Sequence, residues 1–167
     1  YSYDGQILKK IFSNPEPTMP SQPALFQHDD DILRVFFGLG NRAYVLSYNG
    51  ALQAGFPLYL NDVQIDPDGY ARAMWLNNEL ILHLPVGQQG YIAISVDGAL
   101  RPQYSLMYPI SENAALAYRR DYLQYAPNMN MLLWYFALDS RIYINQLAVT
   151  QDPILWNGRH NGGSGSI

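Results

Sequence analysis

The chain contains no cysteine. That excludes disulfides, thiolate metal ligands and a cysteine nucleophile. Charge is scarce too: Asp, Glu, Lys and Arg make up 14% of the residues, where globular chains average about 25%. Lys and Arg total 10 against 14 Asp and Glu, a formal balance of −4. Nucleic-acid binding needs a basic face, and the only basic doublets are Lys9-Lys10 and Arg119-Arg120, so no nucleic-acid partner is expected. Long apolar runs are missing as well. The longest, Met131 to Leu138, is far short of the roughly 18 residues a membrane helix requires, and no membrane insertion is expected. No signal peptide is visible. Tyr1 reads as the inside of a strand, and the chain is expected to be a piece of a longer precursor. There is no Gly-x-Ser-x-Gly elbow, no P-loop and no dinucleotide fingerprint.

What remains is apolar and aromatic: 49% hydrophobic residues, including 14 Tyr, in a single-domain length of 167 residues. Such a chain can bury a sizeable core, and its aromatics favour strands. Four segments line up: Tyr1-Ser-Tyr-Asp-Gly-Gln-Ile-Leu8, Val45-Leu-Ser-Tyr-Asn-Gly-Ala-Leu52, Ala93-Ile-Ser-Val-Asp-Gly-Ala-Leu100 and Tyr135-Phe-Ala-Leu-Asp-Ser-Arg-Ile142. Each reads as strand, two-residue turn, strand, with turns at Asp4-Gly5, Asn49-Gly50, Asp97-Gly98 and Asp139-Ser140. Asx-Gly between strands is the strongest short hairpin signal, because a type I′ turn needs positive φ at both central residues.

The likeness extends backward from these turns. Ile32–Phe37 closed by Gly38 matches Ile81–Val86 closed by Gly87, with Met131–Tyr135 as a shortened third copy. An earlier strand recurs as Pro23–Phe26, Ala71–Trp75 and Ala114–Tyr118, each followed by a polar turn: His28–Asp31, Leu76–Glu79 and Arg119–Asp121. The unit is a four-stranded antiparallel meander of about 45 residues, the blade signature of a β-propeller. Pro-rich connectors at Asn14–Pro17, Phe56-Pro57 and Tyr108-Pro109 suit the ends of outer strands. The expected fold is therefore all-β: about three and a half consecutive four-stranded antiparallel blades in an incomplete ring over residues 1–156. A Gly/Ser/Asn-rich C-terminal linker follows over 157–167.

The stretch Ala43-Tyr-Val-Leu-Ser-Tyr-Asn-Gly-Ala-Leu-Gln-Ala-Gly-Phe-Pro57 resembles the blade pattern of bacterial extracytoplasmic propellers of the quinoprotein-like and FG-GAP-like kind. In those, a strand of the type "xVYALDxDG" precedes "xxxGWP" or "xxxGFP". The match is closest over 32–60, weaker over 81–108 and loosest over 131–156. Ile154–Gly163 resembles the segment on which such propellers finish, without the sorting domain that follows in many secreted members. The resemblance implies a propeller outside the cytoplasm (secreted, periplasmic or at the cell surface). It implies no activity, since one fold hosts many.

Candidate chemistry is thin. His28-Asp-Asp-Asp31 could meet a cation, but Asp favours turns and a solvated hairpin turn is the simpler reading. Asp66-Pro-Asp-Gly69 is similar to part of a calcium loop. The position three past Gly69 is Arg72 and Asp62 lies four before Asp66, so Asp66 and Asp68 lack the further ligands calcium needs. His28, His83 and His160 lie far apart in the sequence, and zinc is not expected. Ser47 and Ser95 read as outward strand serines. Trp75, Tyr104, Tyr108, Tyr118, Tyr122, Tyr125 and Trp134 either line a glycan- or peptide-binding face or pack between blades, and Tyr118–Tyr125 is the stretch best suited to an exposed role. No catalytic, cofactor-binding or metal residue is assigned and no cofactor is expected. The expected function is a non-enzymatic scaffold segment of an exported bacterial protein, meeting a protein or glycan partner. The alternative is part of a quinoprotein-like or hydrolytic propeller enzyme whose catalytic residues lie elsewhere.

Overall fold

The computed structural model describes residues 18–28, 30, 32–87, 90–107, 121–126, 131–138, 141–148 and 155–157. Strands β1 (Ala24–Gln27), β2 (Leu33–Leu39), β3 (Arg42–Ser47) and β4 (Leu58–Tyr59) form a four-stranded antiparallel sheet in chain order. A second sheet holds β5 (Arg72–Leu76), β6 (Glu79–Val86), β7 (Gly90–Ser95) and β8 (Leu106–Met107), also in chain order. The third contains β9 (Asp121–Ala126), β10 (Met131–Leu138) and β11 (Arg141–Ala148) in the order β11-β10-β9. The last described strand, β12 (Leu155–Asn157), pairs antiparallel with β5 and makes the second sheet five-stranded. The architecture is all-β and antiparallel, as the turn spacing suggested. Among the described residues the sheets do not close a ring, and no helix is long and apolar enough to cross a membrane.

The expected hairpins differ from the structure in type. Gly50 and Gly98 have φ of 85° and 87°, while Asn49 and Asp97 are not among the positive-φ residues. Ser47 N–H donates to the Ala51 carbonyl and Gly50 N–H to the Ser47 carbonyl; Ser95, Ala99 and Gly98 make the same bonds 48 positions on. These are three-residue loops, each a turn followed by a left-handed glycine, rather than type I′ turns. The strand expected after each loop is split. Leu52 and Leu100 make isolated bridges to Leu46 and Ile94, and the ladder resumes only at β4 and β8.

The third sheet departs further. Asp121 opens β9 instead of closing a polar turn, and Met131–Leu138 is one strand. Leu138 of β10 stands opposite Arg141 of β11, as Leu39 of β2 stands opposite Arg42 of β3. The Asp139-Ser140 turn itself lies outside the described residues. The Asp4-Gly5 turn, the Ala114–Tyr118 strand and the linker beyond 157 lie outside the described residues.

Register fixes which residues share a face. In the first sheet one row runs Ala24, Phe36, Val45 and the alternate row Leu25, Val35, Leu46. In the second the corresponding rows are Arg72, His83, Ala93 and Ala73, Leu82, Ile94. The correspondence rests on Ser47 and Ser95, which end β3 and β7 with identical bonds. The buried core joins Ala24, Phe26, Phe36, Ala43 and Val45 to Ala71, Ala73, Leu80, Leu82, Leu84 and Ile94. Unlike rows therefore meet: the Ser47-side face of the first sheet packs on the face of the second sheet away from Ser95. The Ser95-side face of the second sheet is buried in turn, at Arg72, Met74, Ile81, His83, Tyr91 and Ala93. Residues Leu80 to Val86 are consequently buried without interruption, the pattern of a strand covered on both sides.

Backbone contact locks the first two sheets together. Gly55 has φ of 85°, and a Cβ there would lie 2.1 Å from the Asp97 carbonyl oxygen. Gly87, with φ of 43°, has open space by comparison, its nearest atom being 3.6 Å away. Gly55→Ala combines left-handed strain with overlap against backbone and is expected to cost about 2–4 kcal/mol. Gly87→Ala carries the strain alone, about 1 kcal/mol. Urea unfolding of the two variants checks this; equal losses would show that the Gly55–Asp97 approach does not hold the sheets.

Candidate functional site

Both ends of the sheet stack carry polar side chains, and the two ends differ. At the end formed by the β1–β2, β3–β4 and β7–β8 connections these groups are tied to one another. Arg34 forks onto the Asp30 carboxylate at 2.7 and 2.5 Å and donates from Nε to Gln53 Oε1 at 2.6 Å. Gln53 Nε2 then donates across to the Val96 carbonyl at 2.6 Å in the second sheet. The Arg34 guanidinium holds the Asp30 carboxyl below the usual carboxylate range. Arg101 Nε likewise donates to Glu79 Oε1 at 2.6 Å. Within the loops, Ser47 Oγ donates to Asn49 Oδ1 at 2.6 Å, and the Ser95 hydroxyl does the same to Asp97. That bond holds the Asp97 carboxyl below its ordinary range. Ser95 is buried, so the outward reading of this serine is corrected: its hydroxyl closes the loop and satisfies backbone inside the stack.

Aromatic candidates divide between packing and positions outside the described residues. Trp75 packs against the core and stacks on His28 with ring centroids 5.7 Å apart. That is inter-sheet packing, since His28 follows β1 and Trp75 lies in β5. Tyr104 Oη lies 3.3 Å from Asn77 Nδ2, which also donates to the Ala148 carbonyl of β11 at 3.3 Å. Tyr122 and Tyr125 fall in β9 and Trp134 in β10. Tyr108, Tyr118, His160, Asp29 and Asp31 lie outside the described residues.

Asp66 and Asp68 form a turn. Asp68 N–H donates to Asp66 Oδ1 at 3.0 Å and Gly69 N–H to the Asp66 carbonyl at 3.2 Å. Among the described residues, no three His, Asp or Glu side chains are grouped so as to hold a metal ion.

The opposite end, at the β2–β3 turn, is open. A shallow cavity of about 700 Å³ lies there, lined by Thr18, Met19, Asn41, Asp62, Gln64 and Ile65 among others. Asn41, Asp62 and Gln64 are exposed around it, while Ile65 is buried at its floor. Of these residues, the sequence reading weighed only Asp62, as a carboxylate wrongly spaced for a calcium loop. Asp62 does carry positive φ (57°), which Asp tolerates better than most residues. The arrangement offers a carboxylate, two amides and an aliphatic floor, a set suited to hydroxyl-rich or peptide-like ligands.

Among the described residues the one buried imidazole is structural. His83 is 0% exposed and its Nε2 lies 2.9 Å from the Tyr104 carbonyl. A carbonyl only accepts, so Nε2 carries the proton in the neutral ring. Arg72, opposite on β5, lays its guanidinium 5.1 Å over the Tyr91 ring. Burial pushes the His83 imidazole down from 6.5 to about 4; the Tyr104 carbonyl opposes this and the Arg72 charge adds to it.

Compared with protein-family models, curated proteins and solved structures, the chain matches none.

The unfolded chain protonates His83 near 6.5 and the folded chain only near 4. Its contribution to stability is thus complete above pH 6.5 and is lost as pH falls through 4. The loss is about 3 kcal/mol. His83→Gln, which stays neutral, is expected to flatten this part of the stability–pH profile in denaturant titrations; an unchanged slope would show that His83 does not cause it.

Proposed function

We propose that the chain is a non-enzymatic β-propeller scaffold, a segment of an exported bacterial protein that presents a partner-binding rim. The observation that carries this reading is the sense of stacking. Two sheets related by a two-fold axis would bring like faces together. Here unlike faces meet, with equivalent strands side by side, and Gln22 pairs in parallel with Tyr70 just before β1 and β5. Stacking that repeats with one sense generates a ring or a superhelix, and blades turning about an axis are its closed form. The likeness of Ala43–Pro57 to extracytoplasmic blades supports the exported setting.

The polar groups at the tied end serve the stack, which leaves the open end as the binding rim. A protein segment or glycan would engage Asn41, Asp62 and Gln64 over the Ile65 floor. The test is saturation-transfer NMR of the chain against a glycan panel and, separately, envelope-derived peptides. Saturable binding weakened at least tenfold in Asp62→Ala or Gln64→Ala is expected. Turnover of any tested compound would favour the enzyme reading, and binding unaffected by either substitution would remove this rim from the account.

A further inference from the structure

The loop that follows β3 holds a reactive pair. Asn49 precedes Gly50 there, and Tyr48, Asn49 and Ala51 are all exposed. Glycine places no Cβ beside its own nitrogen, so the Gly50 nitrogen can approach the side-chain amide before it without a side chain in the way. Asn49 Oδ1 already accepts two hydrogen bonds, from Ser47 Oγ at 2.6 Å and from the Ala51 N–H at 3.1 Å. Donors aimed at an oxygen in this way stabilise negative charge that develops on it.

We propose that Asn49 is a self-modification site, converted by its own loop from an amide to an acid. The Gly50 nitrogen gives its proton to hydroxide and bonds to Asn49 Cγ, and charge collects on Oδ1. The Cγ–Nδ2 bond then breaks, and Nδ2 takes a proton from water and leaves as ammonia. Water opens the resulting cyclic imide at either carbonyl and leaves an aspartate or an isoaspartate at position 49. The sum is one water consumed and one ammonia released, with no change of oxidation state. The formal balance of −4 becomes one charge more negative.

One feature opposes the step. The Gly50 N–H donates to the Ser47 carbonyl at 2.8 Å and must first come away, which slows the reaction about tenfold. The bonds to Oδ1 offset this, because donors hold a developing anion more strongly than a neutral carbonyl.

The second sheet shows that the aspartate product fits. Asp97 occupies the equivalent loop, where the Ser95 hydroxyl donates to it and the Gly98 N–H donates to the Ser95 carbonyl at 3.0 Å. Asp97 is itself protected. Its carboxyl is held below the ordinary range by the Ser95 bond, and an ionised carboxylate resists attack. The backbone beside it is also covered, since a Cβ on Gly98 would lie 2.6 Å from the Gly55 carbonyl oxygen.

The test is peptide mapping by mass spectrometry after incubation of the 167-residue chain in mildly alkaline heavy-oxygen water. Trypsin cuts after Arg42 and Arg72, which separates Asn49 from the Asn157-Gly158 and Asn161-Gly162 pairs. Conversion with uptake of one heavy oxygen is expected at Asn49, at a rate no lower in the folded chain than in urea. Ser47→Ala is expected to slow it about tenfold, and Ser47→Thr, which keeps the hydroxyl, to restore it. Asn49→Asp is expected to unfold at the same urea concentration as the parent. A folded chain that keeps its Asn49 amide while the unfolded chain loses it would overturn the proposal. So would a Ser47→Ala variant that reacts as fast as the parent or faster. If that variant does not fold, the comparison of folded with unfolded parent chain decides alone.

Discussion

The second sheet has no face for water. Residues Leu80 to Val86 are buried one after another, so this strand cannot exist at the surface of a two-layer protein. It must be covered on both sides, and much of the rest of the structure answers that requirement. The side toward the first sheet is aliphatic, with Ala73, Leu82 and Ile94 in one row. The other side is chemically different, with Arg72, His83 and Ala93 where the first sheet has Ala24, Phe36 and Val45. A charge-poor composition fits such a stack, because each ionised group taken inside must be matched there. Arg72 meets this by lying over Tyr91, and His83 meets it by staying neutral against the Tyr104 carbonyl.

Backbone groups at the strand ends face the same constraint. Serines at the ends of β3 and β7, together with Asn49 and Asp97, close the loops locally. Glycine at 55 lets the loop of one sheet touch the carbonyl of Asp97 in the next. Gln53 crosses the same boundary to Val96. The exposed Arg34–Asp30 fork adds little energy by itself, as surface ion pairs do. Its effect is to orient Gln53 for that crossing.

Local signals made much of the first two sheets legible in the sequence. Strand positions in 24–47 and 72–95 follow from alternation and from Asx-Gly spacing, because hairpins are short-range objects. The loop type was not legible. Asn-Gly and Asp-Gly permit both a two-residue I′ turn and a three-residue turn with a left-handed glycine, and what distinguishes them is in the fold: the backbone of Asn49 and Asp97 and the hydrogen bonds of Ser47 and Ser95. In the third sheet the sequence reading divided Met131–Leu138 between two segments, where the structure has one strand, because its unbroken apolar run carries no alternation to mark where a strand begins or ends. The pairing of β12 with β5 joins residues about eighty positions apart, and no local pattern encodes such a contact. The cavity beside Asn41, Asp62 and Gln64 was invisible for a similar reason. Its walls come from segments distant in sequence, and none of the residue types is distinctive alone.

The central claim is that unlike faces of successive sheets meet. Methyl and aromatic NOE spectroscopy of the folded chain tests it most directly. The account predicts cross-peaks from the Phe36 ring and Val45 methyls to Leu82 and Ile94. Cross-peaks from Phe36 and Val45 to the Ala93 methyl and the His83 ring would instead show like faces in contact and would contradict it.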